Sequence, residues 1–124
     1  MNRYLILFGL LIPSLAIAKP LYSCTNSTAE IQCTNNTCQI LNQPNFTPAQ
    51  IDVSKNNQVS ICMYSDCWEA KVKPILINNN VIYSAENFHS NTHNKTSSFI
   101  LNIRPKTKLG FLQGDHFLLP LQCK

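Results

Sequence analysis

A chain of 124 residues with 44% hydrophobic and only 13% charged residues has the size of one compact domain, too short for two and too apolar to stay disordered. Its formal net charge of +4 is mild for a dedicated nucleic-acid binder, whose basic residues cluster on one face or helix. Six cysteines in so short a chain point to an exported protein held by disulfides, but nothing in these figures names a reaction or a ligand.

The first 18 residues read as a secretory signal. Arg3 supplies a positive start, Leu5 to Ile12 a short apolar run, and Ala16-Ile17-Ala18 the small-x-small form that signal peptidase cuts. The apolar stretch from Tyr4 to Ala18 contains Pro13 and is shorter than the roughly 20 residues a spanning helix needs, so no membrane span is expected in the mature chain. No cysteine follows the cleavage site, which argues against a lipoprotein. Residues 19–124 are then a single disulfide-stapled β domain, with a net charge of +3 once Arg3 is gone. A domain of that size buries about 60 to 70% of its unfolded surface, a thin margin that disulfides would widen.

Beyond the signal, short runs rich in Ile, Val, Phe, Tyr and Thr are separated by Asn-rich or Pro-containing turns. No segment keeps a 3.6-residue apolar period over three turns. In chain order the expected strands are 20–24, 28–33, 38–42, 50–54, 58–63, 67–77, 81–85, 97–103, 108–113 and 116–123. Glu86 to Lys95 is expected to be irregular, with Phe88 its only large apolar residue. The pattern describes an all-β domain of about 8–10 short antiparallel strands, either a small barrel or a two-sheet sandwich.

Cysteine spacing tests the hairpins. With Cys33 opposite Cys38, the turn is Asn35-Asn36, residues that tolerate the positive φ of a type I′ hairpin, and Ile31 faces Ile40 on the cysteine side. That bridge is expected to face the core. With Cys62 opposite Cys67, Ile61 faces Trp68 and Val59 faces Ala70 on one side, while Ser60 faces Glu69 and Gln58 faces Lys71 on the other. The cysteines fall on the polar side, so this second bridge is expected to face solvent and Trp68 to anchor the core. Cys24 and Cys123 remain to tie the first strand to the last. Six cysteines allow fifteen connectivities, and hairpin geometry favours this one. Zinc is disfavoured because both close pairs are C-x4-C.

The segment Cys62-Met63-Tyr64-Ser65-Asp66-Cys67-Trp68-Glu69 resembles the signature of a group of small uncharacterised exported bacterial proteins, which pair a Cys-x-Tyr-Ser-x-Cys-Trp-Glu core with an early and a terminal cysteine. The close match covers about eight residues, and Ala70 stands where the group has Gly. The resemblance implies exported β structure and carries no activity. A looser resemblance is to periplasmic lysozyme inhibitors, one family of which inserts a disulfide-closed Cys-x-x-x-Asp-Cys loop into the enzyme cleft. The histidine of that family's loop is missing here, and the Ser-Gly-Ser-Gly-containing motif of a second, barrel-shaped inhibitor family is absent.

No catalytic constellation is visible: there is no Gly-x-Ser-x-Gly elbow, phosphate loop or paired carboxylates, and no cofactor site is expected. His89 and His93 have His-x3-His spacing, but Ser, Asn and Thr around them argue for a loop rather than a metal-binding helix. Arg104 to Lys108 reads as a solvated hairpin tip, and Asp115-His116 as a turn entering the last strand. Asn-x-Ser/Thr triplets occur at Asn26, Asn35, Asn45 and Asn94. The candidate contact is Met63, Tyr64, Ser65 and Asp66, an aromatic, a flexible apolar side chain and a carboxylate on a short disulfide-held tip. The sequence therefore leads to the expectation of a periplasmic or secreted non-enzymatic binding protein with a protein partner, such as an inhibitor or immunity protein against a cell-wall enzyme or toxin. The alternative is a structural envelope component.

Overall fold

The computed structural model describes residues 19–26, 28–42, 45–64 and 66–124. The signal assigned to residues 1–18, and Ser65 of the candidate tip, lie outside the described residues. The strands are β1 (Tyr22–Asn26), β2 (Ala29–Thr34), β3 (Thr37–Asn42), β4 (Ala49–Val53), β5 (Gln58–Met63), β6 (Asp66–Lys71), β7 (Ile75–Ile77), β8 (Asn80–Ser90), β9 (Thr96–Arg104), β10 (Leu109–Gln113) and β11 (Phe117–Cys123). Eight of them close an antiparallel barrel in the order β1-β4-β5-β6-β8-β9-β10-β11, and β11 returns to β1. Of the two architectures open in the sequence, the chain adopts the barrel.

Closure is made where the first and last strands meet. Cys24 pairs with Cys123 and Thr25 with Gln122, and the Cys24–Cys123 disulfide crosses between β1 and β11. Both cysteines are buried among the side chains that fill the barrel, which alternate along each strand as a half-buried sheet requires. Ile51 and Val53, Val59 and Ile61, Leu101 and Ile103, and Leu119 and Leu121 all point inward. Polar partners such as Asp52, Ser60 and Glu69 occupy the alternate positions.

The other two disulfides also form as the spacing suggested, Cys33–Cys38 and Cys62–Cys67. Their surroundings divide. The β5–β6 register pairs Ile61 with Trp68 and Val59 with Ala70, and Cys62–Cys67 lies on the opposite, outer face beside Ser60. Cys33–Cys38 does not face the core: Cys38 is exposed and Ile40 is 67% exposed. The reason is topological. The β2–β3 hairpin hangs from the edge of β11, and among the described residues no second layer lies over it and no further strand lies beside β3.

Two further expectations are corrected. The strand expected over 67–77 is broken into β6 and β7, with Pro74, which has no N–H to give a ladder, just before β7. Glu86 to Lys95 is not wholly irregular either. β8 runs through it to Ser90, with a register irregularity between Ala85 and Phe88. Phe88 is completely buried and packs edge-on against Phe99 at 5.3 Å, and this anchor carries a polar-looking segment into the sheet.

The barrel makes the terminal disulfide the most consequential of the three, because it closes a separation of 99 residues whereas each hairpin bridge closes only 5. Chain-entropy arithmetic puts the first at about 4 to 5 kcal/mol and each of the others at about 2 kcal/mol. Replacing Cys24 and Cys123 together by Ser is therefore expected to lower stability in guanidinium unfolding by roughly twice as much as replacing Cys33 and Cys38 together. Equal losses would show that closure is not what the terminal bridge supplies.

Candidate functional site

Two two-residue turns show what the tip at Tyr64 departs from. Asn35 and Asn36 join β2 to β3 with φ of 49° and 63°, and Asn78 and Asn79 join β7 to β8 with φ of 48° and 64°. Asparagine is the residue type suited to that left-handed region. The β5–β6 turn instead places Tyr64 there, at φ 54°. A bulky L-residue in this conformation costs on the order of 1–2 kcal/mol. Burial does not offset it, since Tyr64 is 79% exposed. Its one side-chain hydrogen bond among the described residues is made by the hydroxyl, 3.3 Å from Thr47 Oγ1.

The tip is held from below. The Cys62–Cys67 disulfide closes its base, and Met63 pairs with Asp66 across it. The Asp66 carboxylate turns toward the chain, and its side chain is only 16% exposed. Ser90 Oγ donates to it at 2.9 Å, and His93 Nδ1 lies 3.3 Å away. Ser90 Oγ in turn accepts the His93 backbone N–H at 2.9 Å, and Asn91 N–H donates to Cys67 O at 2.8 Å. Asp66 thus ties the β6 start to the turn after β8. Loss of water around the carboxylate works to raise its pKa, but hydrogen bonds from Thr92, Ser90 and His93 and from the Cys67 backbone outweigh this and hold it below the usual value.

Beneath Tyr64 lies a second polar arrangement that sequence reasoning missed. Asn26 Nδ2 donates to Thr47 O, and Thr47 N–H donates to Glu30 Oε2, both at 2.9 Å. Asn26 and Glu30 are both buried, and Asn26 Oδ1 has no hydrogen-bond partner among the described residues. The segment that touches the Tyr64 hydroxyl is therefore gripped on both backbone sides of Thr47. Burial of the Asn26 amide also leaves that triplet unsuited to carry a glycan in the folded state.

A cleft opens beside the tip, and its floor is Phe99. Trp68 meets Phe99 edge-on at 5.9 Å between ring centroids, and Phe117 lies tilted to it at 6.4 Å. Trp68 is on the inward face as the alternation requires, but it is half-buried at the end of the barrel rather than enclosed as a core anchor. Together with Met63 these rings line a cavity of about 230 Å³. Across Phe99, Ser98, Gly114 and Asp115 this cavity adjoins another of about 340 Å³ that reaches Glu86. Gly114 matters to the wall: a Cβ there would come within 2.5 Å of the Phe117 ring.

The remaining sequence candidates are dispersed. His89 is an exposed residue of β8 paired with Glu69, whereas His93 is engaged with Asp66, so the two do not converge. Among the described residues no group of three or more His, Cys, Asp and Glu side chains is placed to hold a metal ion. Arg104 to Lys108 forms the exposed β9–β10 turn, and Asp115-His116 the exposed turn before β11. No helix of the described residues is long and apolar enough to cross a membrane. Comparison with known protein families, with curated proteins and with solved structures finds no match.

The Asp66 arrangement has an acid signature. A carboxylate with its folded-state pKa lowered adds stability that is present above its unfolded value and is lost as pH falls through the folded one. Below about pH 4, where unfolded carboxylates begin to protonate, the wild-type protein should therefore progressively lose its advantage over Asp66→Asn. Backbone NMR across that range should show the Asn91 to His93 amides moving with the Asp66 titration. Amides indifferent to it would remove Asp66 from the support of the tip.

Proposed function

We propose that this is an exported, non-enzymatic binding protein that engages a protein partner through the Met63 to Asp66 tip. One observation carries the reading: a strained, solvent-facing tyrosine stands at a positive-φ hairpin position where the β2–β3 and β7–β8 turns use asparagine. Backbone strain and exposed aromatic surface both oppose stability, and they persist together where a side chain is wanted for contact. The disulfide and the Asp66 network order the tip before any partner arrives, which lowers the entropy cost of docking. Asp66 acts here as the residue that positions Tyr64, with Met63 and Tyr64 offering the contact surface. Three disulfides are what an oxidising, exported setting produces. Such a rigid aromatic tip suits an inhibitor or immunity protein that plugs a cell-wall enzyme or toxin.

A second reading, a structural envelope component, draws on β7. All three of its residues are exposed, Leu76 by 74%, and it pairs with β8 along one edge only. That is a surface for assembly rather than for plugging a cleft.

Tyr64→Asn separates stability from binding. Asparagine suits the positive φ, so the variant is expected to be more stable than wild type by about 1 kcal/mol. It should nevertheless lose binding by about 2 kcal/mol or more to a partner recovered from the exported fraction with the wild-type protein. Chemical denaturation and isothermal titration calorimetry give the two numbers. A partner that binds the variant as tightly as wild type would overturn the role given to the tip.

A further inference from the structure

The cleft beside the tip differs in character from the rest of the surface. The chain carries ten Lys and Arg against six Asp and Glu, yet neither adjoining cavity has a Lys or Arg in its lining; Asp115 lines both, Glu86 lines the larger one, and His116 lines the smaller. Asp115 thus shares the smaller cavity with three aromatic rings, Trp68 and Phe117 each lying against Phe99. An aromatic ring presents negative electrostatic potential on its face, most strongly for tryptophan, so rings grouped near a carboxylate attract a cation that has shed part of its water.

We infer that the Trp68–Phe99–Phe117 cleft, with Asp115 at its rim, takes a lysine or arginine side chain from the partner. The ligand class follows from the two halves of the site. Rings and Met63 match an aliphatic stem, and the carboxylate with the ring faces matches a cationic head, a combination that Lys and Arg side chains carry. Continuity supplies the source. Met63 belongs both to the tip and to the cavity wall, so a protein docked on Tyr64 also covers the cleft. The inference rests on the reading of the tip as a protein contact for where the cation comes from, though not for whether the cleft prefers one. Gly114 has a part in specificity, because only the absence of a Cβ lets the Phe117 ring lie against that turn.

The chain's single tryptophan is Trp68, which makes its fluorescence a reporter of this cleft alone. The oxidised exported protein is titrated with N-acetyl-arginine amide, N-acetyl-lysine amide, the neutral N-acetyl-norleucine amide and a chito-oligosaccharide. Both cations should shift the emission saturably, with the norleucine compound at least about threefold weaker. Asp115→Asn, an exposed position that leaves the core untouched, should weaken the cations by about threefold and leave the norleucine compound unchanged. Gly114→Ala should weaken the cations at least as much by displacing Phe117. Equal binding of the neutral amide, cation affinity unaffected by Asp115→Asn, or a response to the saccharide alone would overturn the inference. Tyr64→Asn should not alter these titrations, since Tyr64 is not among the residues that line the cleft. A failure here therefore leaves the tip standing, and a failure of the tip in partner binding leaves the cleft standing.

Discussion

Pairing of β1 with β11, locked by Cys24–Cys123, is the constraint on which the other features depend. Without it the eight strands form an open sheet whose edges are β1 and β11, and the inward side chains of both would lose a neighbour. With it, residues separated by 99 positions are held side by side and the apolar faces enclose one core. A backbone hydrogen bond extends the seam, from Lys124 N–H to Ser23 O. A seam built from the extremes of the chain is entropically expensive to form, which is why the disulfide there outranks the hairpin bridges.

Two long strands interrupted at similar points explain what lies outside the barrel. β1 and β2 both run antiparallel to β11, meeting it at Cys123 and Gln122 and then at Leu118 and Phe117. The intervening stretch of β11 contains Pro120, which has no N–H to give. β6 and β7 stand in the same relation to β8, pairing at His89 and Ser90 and again at Asn80 to Ile82, with Pro74 between them. Each interruption lets the chain peel away from the barrel. The result is that the β2–β3 hairpin and β7 lie outside the barrel, and Ile40, Ile75, Leu76 and Ile77 on them are exposed. Only short edges are left open, a common way to limit edge-to-edge association.

Period-two alternation and cysteine spacing made the barrel wall legible in the sequence. They are local signals, and the β5–β6 hairpin, with Ile61 opposite Trp68, needs nothing from elsewhere to fix its register. The core-facing expectation for Cys33–Cys38 failed because alternation tells which residues share a face without telling whether anything covers it. Phe88 was visible as a lone apolar residue, but its burial depends on Phe99, more than ten positions away on another strand. Glu30 and Asn26 gave no signal at all, since a buried polar residue looks like an exposed one until its partner is known. Likewise the tip was legible as a disulfide-closed loop with an aromatic, whereas the inward turn of Asp66 depends on Ser90 and His93. The cleft was not legible, because its three rings come from β6, β9 and β11 and meet only once the barrel is closed.

That dependence joins closure to function. Phe117 begins the strand that closes the barrel, and Trp68 follows the cysteine that locks the tip, so the cleft lies between the terminal and the hairpin disulfides. Loosening the seam would free the Cys123 end of β11, while its Phe117 end stays paired with β2 and tied to Gly114 by the backbone. The tip is less exposed to that loss, because its disulfide, its register and its Asp66 hydrogen bonds are all made within β5, β6 and the turn after β8. The tip and the cleft thus draw on different supports: the tyrosine turn on local covalent closure between β5 and β6, the cleft on three strands brought together by the barrel.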